Sequence, residues 1–66
     1  MNGYRIKEAR KEKGYTQQLL AQKIGYSQSV VSDWEKGISD PSAKAIVALA
    51  QALEVSADYL LGLREY

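Results

Sequence analysis

Cysteine and histidine are both absent from this 66-residue chain. Without thiols there is no disulfide framework and no thiolate metal site. Without imidazole the usual general base and the commonest metal ligand are gone. No carboxylate pair is placed in an obvious cleft either, so an enzyme is not expected, and neither is a cofactor or a metal. Long apolar runs are also lacking: no stretch of about 18 such residues exists to cross a bilayer. The N-terminus is polar and charged, with no apolar signal-peptide core. A cytoplasmic location is therefore the expectation. Strands, repeats and low-complexity segments find no support in the pattern. No separate effector domain is visible, so a small-molecule ligand is not expected.

What is present fits one domain, residues 1–66. A chain this short buries roughly 60% of its unfolded surface, so stability should be modest. Net charge is only +1, but its distribution is uneven. Residues 1–37 carry seven Lys and Arg against four Asp and Glu, a net of +3. Residues 38–66 carry two against four, a net of −2. A positive half suits a polyanionic partner. A difference this small is also what scattered surface charge produces.

The most informative stretch is Ser27-Gln-Ser-Val-Val-Ser-Asp-Trp-Glu-Lys-Gly37. It reads as a short helix with two unlike faces. Val31 and Trp34 are three apart and share one side. That spacing places Trp34 in the core rather than among base-stacking residues. Gln28, Ser29, Ser32 and Asp33 lie on the other side, all able to hydrogen-bond. Ser27 is a good N-cap, and Gly37 can take the left-handed conformation that ends a helix. A helix this short needs its neighbours to hold it. Upstream, Thr16 caps a helix running to Ile24, with Leu20, Ala21 and Ile24 on its apolar face. Gly25 permits a sharp turn. Helix, glycine-bearing turn, helix with a polar outer face is the helix-turn-helix pattern.

The run from Thr16 to Gly37 resembles the Cro and phage-repressor (lambda-repressor-like) helix-turn-helix DNA-binding family. That family's pattern is close to T-Q-x-x-L-A-x-x-[LI]-G-x-S-Q-x-x-[VI]-S-x-W-E-x-G. Gln17, Leu20, Ala21, Gly25, Ser27, Gln28, Val31, Trp34, Glu35 and Gly37 fall in register, and the match extends from Arg5 to Leu63. The resemblance implies an all-α, compact five-helix domain. Its second helix (about 16–24) and its recognition helix (about 27–36) are presented outward.

The remaining helices are legible from caps and periodicity. Asn2 can cap a first helix of about Gly3 to Lys13, with Ile6, Ala9 and Arg10 inward and Tyr4 or Lys13 flanking. Gly14 ends it and Tyr15 packs at its base. An arginine on an apolar stripe needs a partner if buried. The resemblance implies that Arg10 bridges to Glu35; otherwise Arg10 is a solvated side chain. Leu19 stands where the family usually has a polar residue, so it is expected at the surface. Asp40 before Pro41 suits a cap, and Ser42 suits one equally. The fourth helix runs to about Leu53. Ile46, Leu49, Ala50 and Leu53 form a clean stripe, and alanines 43, 45, 48, 50 and 52 favour helix. Ser56 caps a last helix to about Leu61, and Gly62 stops it. Tyr59, Leu60 and Leu63 supply apolar surface. The five tyrosines read as core-edge residues, with Tyr26 the possible exception. Arg64 to Tyr66 should fray.

A helix fits the major groove of B-form DNA, where each base pair shows its own donor and acceptor pattern. The first turn of a recognition helix points at base edges, and the helix before it crosses the backbone. Gln28 is the first candidate base contact, able to bond adenine bidentately. Ser29 and Ser32 follow, and Val30 has no inward role assigned, leaving a thymine methyl as its contact. Asp33 departs from the family, which often has a basic or amide residue there. Either it accepts from cytosine N4, or it lowers nonspecific affinity, or it pairs with a nearby lysine. For the DNA backbone the candidates are Thr16, Gln17, Ser27 and Lys36, with Lys13 and Lys44 weaker. Gln17 resembles the family glutamine that bonds a phosphate and braces the first recognition-helix side chain. Helix N-terminal amides favour phosphate as well. For each lysine the bland reading is a solvated surface charge.

The function these readings converge on is a sequence-specific double-stranded DNA-binding transcriptional regulator. A repressor acting by occlusion fits best. A single module buries only roughly 600–1,000 Å² on DNA, so a homodimer on a palindromic operator is expected. Half-sites would then lie about 10 base pairs apart. The resemblance implies dimerisation through the C-terminal helix region, at Leu60, Leu63 and their neighbours. The competing reading is a protein-interaction module, antitoxin- or adaptor-like, that keeps the fold with weak or no specific DNA binding. Asp33 and the low net charge favour that reading. Gln17, Gln28 and Lys36 standing together oppose it.

Overall fold

A computed structural model describes all residues, Met1–Tyr66. Five helices follow one another with no strand: α1 (Tyr4–Glu12), α2 (Gln17–Ile24), α3 (Gln28–Lys36), α4 (Ala43–Leu53) and α5 (Ala57–Leu60). None is long and apolar enough to cross a membrane.

Side-chain caps open the last four helices. Thr16, Ser27, Ser42 and Ser56 sit in extended conformation, and each oxygen accepts the amide three residues on, at Leu19, Val30, Ala45 and Tyr59. These bonds satisfy one of the orphan donors that every helix start leaves open. Ser42, not Asp40, is thus the cap of α4. Asp40 is instead drawn 2.8 Å from the Met1 ammonium. α1 starts one residue later than the spacing suggests and ends at Glu12. Asn2 Oδ1 accepts from the Tyr4 amide at 3.0 Å, which leaves Gly3 in the capping position. α5 ends at Leu60, one residue short of the expected boundary.

One core lies between the helices. Ile6 and Ala9 come from α1, Leu20 and Ala21 from α2, and Val31 and Trp34 from α3. Ala45, Ile46, Leu49 and Leu53 come from α4, and Leu60 from α5. α4 contributes most because its alanines let neighbours approach while Ile46, Leu49 and Leu53 fill the centre. α3 packs on α2 and α1, and α4 packs on α2 and α5. Burying each large aliphatic side chain contributes about 1.5–3 kcal/mol before chain entropy is subtracted.

Gly3 is buried, and the reason is steric. A Cβ built there would lie 1.8 Å from the backbone oxygen of Trp34 and 2.7 Å from the Glu35 Cα. The start of α1 is therefore pressed against the last turn of α3, and only a residue without a side chain fits. The tyrosines divide. Tyr15, Tyr26 and Tyr59 pack on the core edge, whereas Tyr4 and Tyr66 are exposed. Tyr26 belongs with the packed set, edge-on to Trp34 with ring centroids 5.1 Å apart. A pair of this geometry contributes about 0.5–1.5 kcal/mol beyond its burial.

Candidate nucleic-acid interface

The turn between α2 and α3 is three residues long, Gly25 to Ser27. Gly25 holds φ 80° and ψ 30°, a left-handed conformation that costs other L-residues roughly 1 kcal/mol or more. The amides of Gly25 and Tyr26 both close on the Ala21 carbonyl, at 2.9 and 3.0 Å. α3 is thereby re-aimed immediately after α2 ends.

The inner face of α3 is anchored on all sides. Val31 is fully buried and Trp34 nearly so. Glu35, whose side chain is 3% exposed, accepts a two-pronged contact from Arg10. Nε donates to one carboxylate oxygen at 2.7 Å and a terminal nitrogen to the other at 3.1 Å. The remaining arm of Arg10 donates to the Tyr15 carbonyl at 2.9 Å. This paired geometry is the strong form of a charged hydrogen bond. Gln17 Nε2 also donates to Glu35, at 3.0 Å. Here the structure differs from the sequence reading: Gln17 is tied to Glu35 rather than braced against Gln28. The reason is geometric. Glu35 offers a carboxylate beside the start of α2, while Gln28 extends outward with no intramolecular side-chain bond. Val30 also differs, since it packs on the core edge rather than standing free for a thymine methyl.

The outer face is left open. Gln28, Ser29 and Lys36 are exposed, and Ser32 and Asp33 are half-buried. Ser27 Oγ and Ser29 Oγ lie 3.2 Å apart, so one hydroxyl proton remains for an outside acceptor. Thr16 Oγ1 accepts from Leu19 and keeps its own proton to donate. The first-turn amides of Gln17 and Gln18, and of Gln28 and Ser29, have no intrahelical partner, as at any helix start. The arrangement brings two helix N-termini, three hydroxyls and a free glutamine amide to neighbouring turns. Chemically it can donate hydrogen bonds to phosphate and read donor–acceptor edges in a groove.

The positive charge of the first half is less available than its count suggests. Arg10 is neutralised by Glu35. Lys13 pairs with Glu54 from the other half, which removes it as a backbone-contact candidate. That hydrogen bond raises the Lys13 amine above its ordinary value and lowers the Glu54 carboxyl below its own. Lys23 lies 5.1 Å over the Tyr15 ring. Arg5 donates to the carbonyls of Tyr59, at 2.8 Å, and Arg64. It also lies 4.7 Å over the Tyr59 ring. Its partner is 54 residues away, so no local pattern signals the bond. Lys36 stays exposed and unpaired beside the reading face.

The sequence model of the helix-turn-helix family matches residues 6–60. The chain belongs to this helix-turn-helix family. It is 40% identical over 60 residues to the HTH-type transcriptional regulator ImmR of Bacillus subtilis, covering 91% of this chain and 47% of ImmR. It is 37% identical over 59 residues to repressor protein C2 of Salmonella phage P22, covering 89% of this chain and 27% of that repressor. The chain thus spans from about a quarter to about half of these relatives. Among solved structures, the P22 c2 repressor in complex with a synthetic operator superposes with a TM-score of 0.89. That likeness is at 35% identity and covers 94% of both chains. The biofilm regulator SinR in complex with DNA superposes with a TM-score of 0.86 at 40% identity, covering 92% of this chain and 98% of that one. These proteins are named as regulators and repressors, not enzymes. The fold is thus the phage-repressor type of helix-turn-helix domain.

Proposed function

We propose that residues 1–66 form one DNA-reading module of a transcriptional repressor, with the outer face of α3 in the major groove. The observation that carries this reading is the contrast between the two faces of α3. Its inner face is clamped by Arg10, Gln17, Gly3 and the core, while Gln28 and Ser29 stand free at its start. A preorganised helix loses little freedom on docking. Gln28, Ser29, Ser32 and Asp33 are the base-contacting set. Thr16, Gln17, Ser27 and Lys36 hold the phosphates on either side. The named relatives, one of them solved with a synthetic operator and another with DNA, support the same ligand. A cytoplasmic location goes with this reading, and no helix long and apolar enough to cross a membrane stands against it.

The protein acts as a homodimer on a palindromic operator and represses by occlusion. One module offers too little surface for useful specificity, and three of its nine Lys and Arg side chains, Arg10, Lys13 and Arg64, are already ion-paired within the fold. The C-terminal segment supplies the dimer surface through Leu61, Leu63 and Tyr66, all exposed. Leu60 cannot take part directly, because it is 1% exposed and belongs to the core.

The test is selection from a random duplex pool with wild type and Gln28→Ala in parallel. Enrichment of a palindrome with half-sites about 10 base pairs apart, relaxed at one position per half-site by Gln28→Ala, is the expected result. No enrichment, with only weak binding that disappears at moderate salt, would point to the protein-interaction reading instead.

A further inference from the structure

Asp33 is the one acidic side chain on the outer face of α3, and nothing in the fold neutralises it. Lys36 is three residues on and within helical reach, yet no cation lies within salt-bridge distance of Asp33. Its carboxylate makes no hydrogen bond, and no buried polar side-chain atom in the protein lacks a partner. The two Asp33 oxygens therefore reach solvent, although the residue is half-buried. Of the three roles open to Asp33, pairing with a lysine is thus not what the fold shows. A free carboxylate on a face turned toward a polyanion is unfavourable unless the complex supplies a hydrogen-bond donor. Desolvating a carboxylate without one is strongly unfavourable.

Building on the DNA-reading assignment above, we propose that Asp33 is a specificity-determining residue that requires a cytosine in each half-site. The argument is from the groove. A carboxylate only accepts. The major groove offers two base donors, cytosine N4 and adenine N6. Adenine N6 is flanked by acceptors on both sides, its own N7 and the O4 of the paired thymine. Both repel a carboxylate. Cytosine N4 has an acceptor on one side only, the guanine O6, with the nonpolar C5 edge on the other. An acceptor approaching from the C5 side meets the donor without opposition. The same carboxylate rejects duplexes lacking that cytosine, because it is then buried against acceptors. Asp33 lies one helical turn beyond Ser29, so the cytosine occupies a different base pair from the one read by Gln28.

The experiment selects duplexes with wild type, Asp33→Asn and Asp33→Ala, then measures Kd on the wild-type site with each base substituted. The expected wild-type loss on replacing the cytosine is about five- to 150-fold. Asp33→Asn should move the preference at that position to adenine, since an amide pairs with N6 and N7, and Asp33→Ala should abolish it. Three results overturn the proposal. If all three proteins select the same motif, Asp33 does not read a base, while the DNA-reading face stands. If the variants bind every sequence more tightly with no change of motif, Asp33 only repels phosphates. If none selects any motif, the DNA-reading assignment itself fails. Circular dichroism should show all three equally folded, because the Asp33 side chain bonds to nothing in the fold. The wild-type arm also tests the cytosine without any variant.

Discussion

α3 and the segment from α5 to the C-terminus lie at opposite extremes of this small protein. α3 is nine residues long and is fixed by neighbours on every inward side. Arg10 and Gln17 hold its Glu35, Gly3 seats its last turn, and Tyr26 packs on its Trp34. α5 is four residues long and puts one side chain, Leu60, into the core. Leu61 and Leu63 beyond it are open to solvent, Leu63 at 71% exposure. The polar outer face of α3 is held rigid, which suits a surface that reads hydrogen-bond patterns. The apolar surface at the end of the chain is tied back mainly by Arg5 and the Arg64–Asp58 pair. A surface of that kind suits burial against another protein copy.

The strongest way to break the contrast is to remove the clamp on α3. Glu35→Ala strands Arg10 and Gln17 without their acceptor, and should cost about 3–5 kcal/mol in urea unfolding. Arg10→Met combined with Glu35→Leu should regain much of that loss, because no buried charge is then unpaired. If Glu35→Ala costs no more than an exposed ion pair, the clamp is not what fixes α3.

A smaller loss is expected where α1 meets α3. Gly3→Ala forces a methyl toward the Trp34 carbonyl oxygen, and the backbone must shift. The expected cost is about 1–3 kcal/mol, with weakened duplex binding because α3 tilts. An unchanged melting temperature would show that the two helices can part freely.

At the other extreme, Leu63→Ser should change monomer stability by less than about 0.5 kcal/mol, yet lower operator affinity by weakening the dimer. Analytical ultracentrifugation separates the two effects. Unchanged self-association would remove the C-terminal segment from the interface.

The Lys13–Glu54 pair links the halves at the surface, and its effect is the smallest. The Glu54 carboxyl titrates below its ordinary value. Its contribution is present above the unfolded carboxyl value and is lost as pH falls through the lowered one. The Lys13 amine titrates above its ordinary value. Its contribution is present below the unfolded amine value and is lost as pH rises through the raised one. Melting temperature should therefore show no pH dependence from this pair near neutrality and a slight fall at each extreme. Glu54→Gln should flatten the acid side only slightly.

How far the sequence foretells this molecule depends on the reach of each contact. Caps and stripes are local, so Thr16, Ser27 and Ser56, and the core positions Val31 and Trp34, follow from spacing alone. The contact between Arg10 and Glu35 came from resemblance, since 25 residues separate them, and the structure places them together. Gly3 against Trp34, Arg5 against Tyr59 and Asp40 against the Met1 ammonium were not legible. Each depends on where helices meet, and no periodicity encodes that. Asp33 was visible as a departure, but only the packed structure shows that no lysine reaches it.

The most direct test of the central claim is to follow backbone amide resonances during titration with a short duplex carrying the half-site enriched by selection. The account predicts the largest shifts at Gln17, Gln18, Gln28 and Ser29, the open first-turn amides of α2 and α3, with little change in α4. Shifts confined to α4 and α5, or none at all below moderate salt, would contradict it.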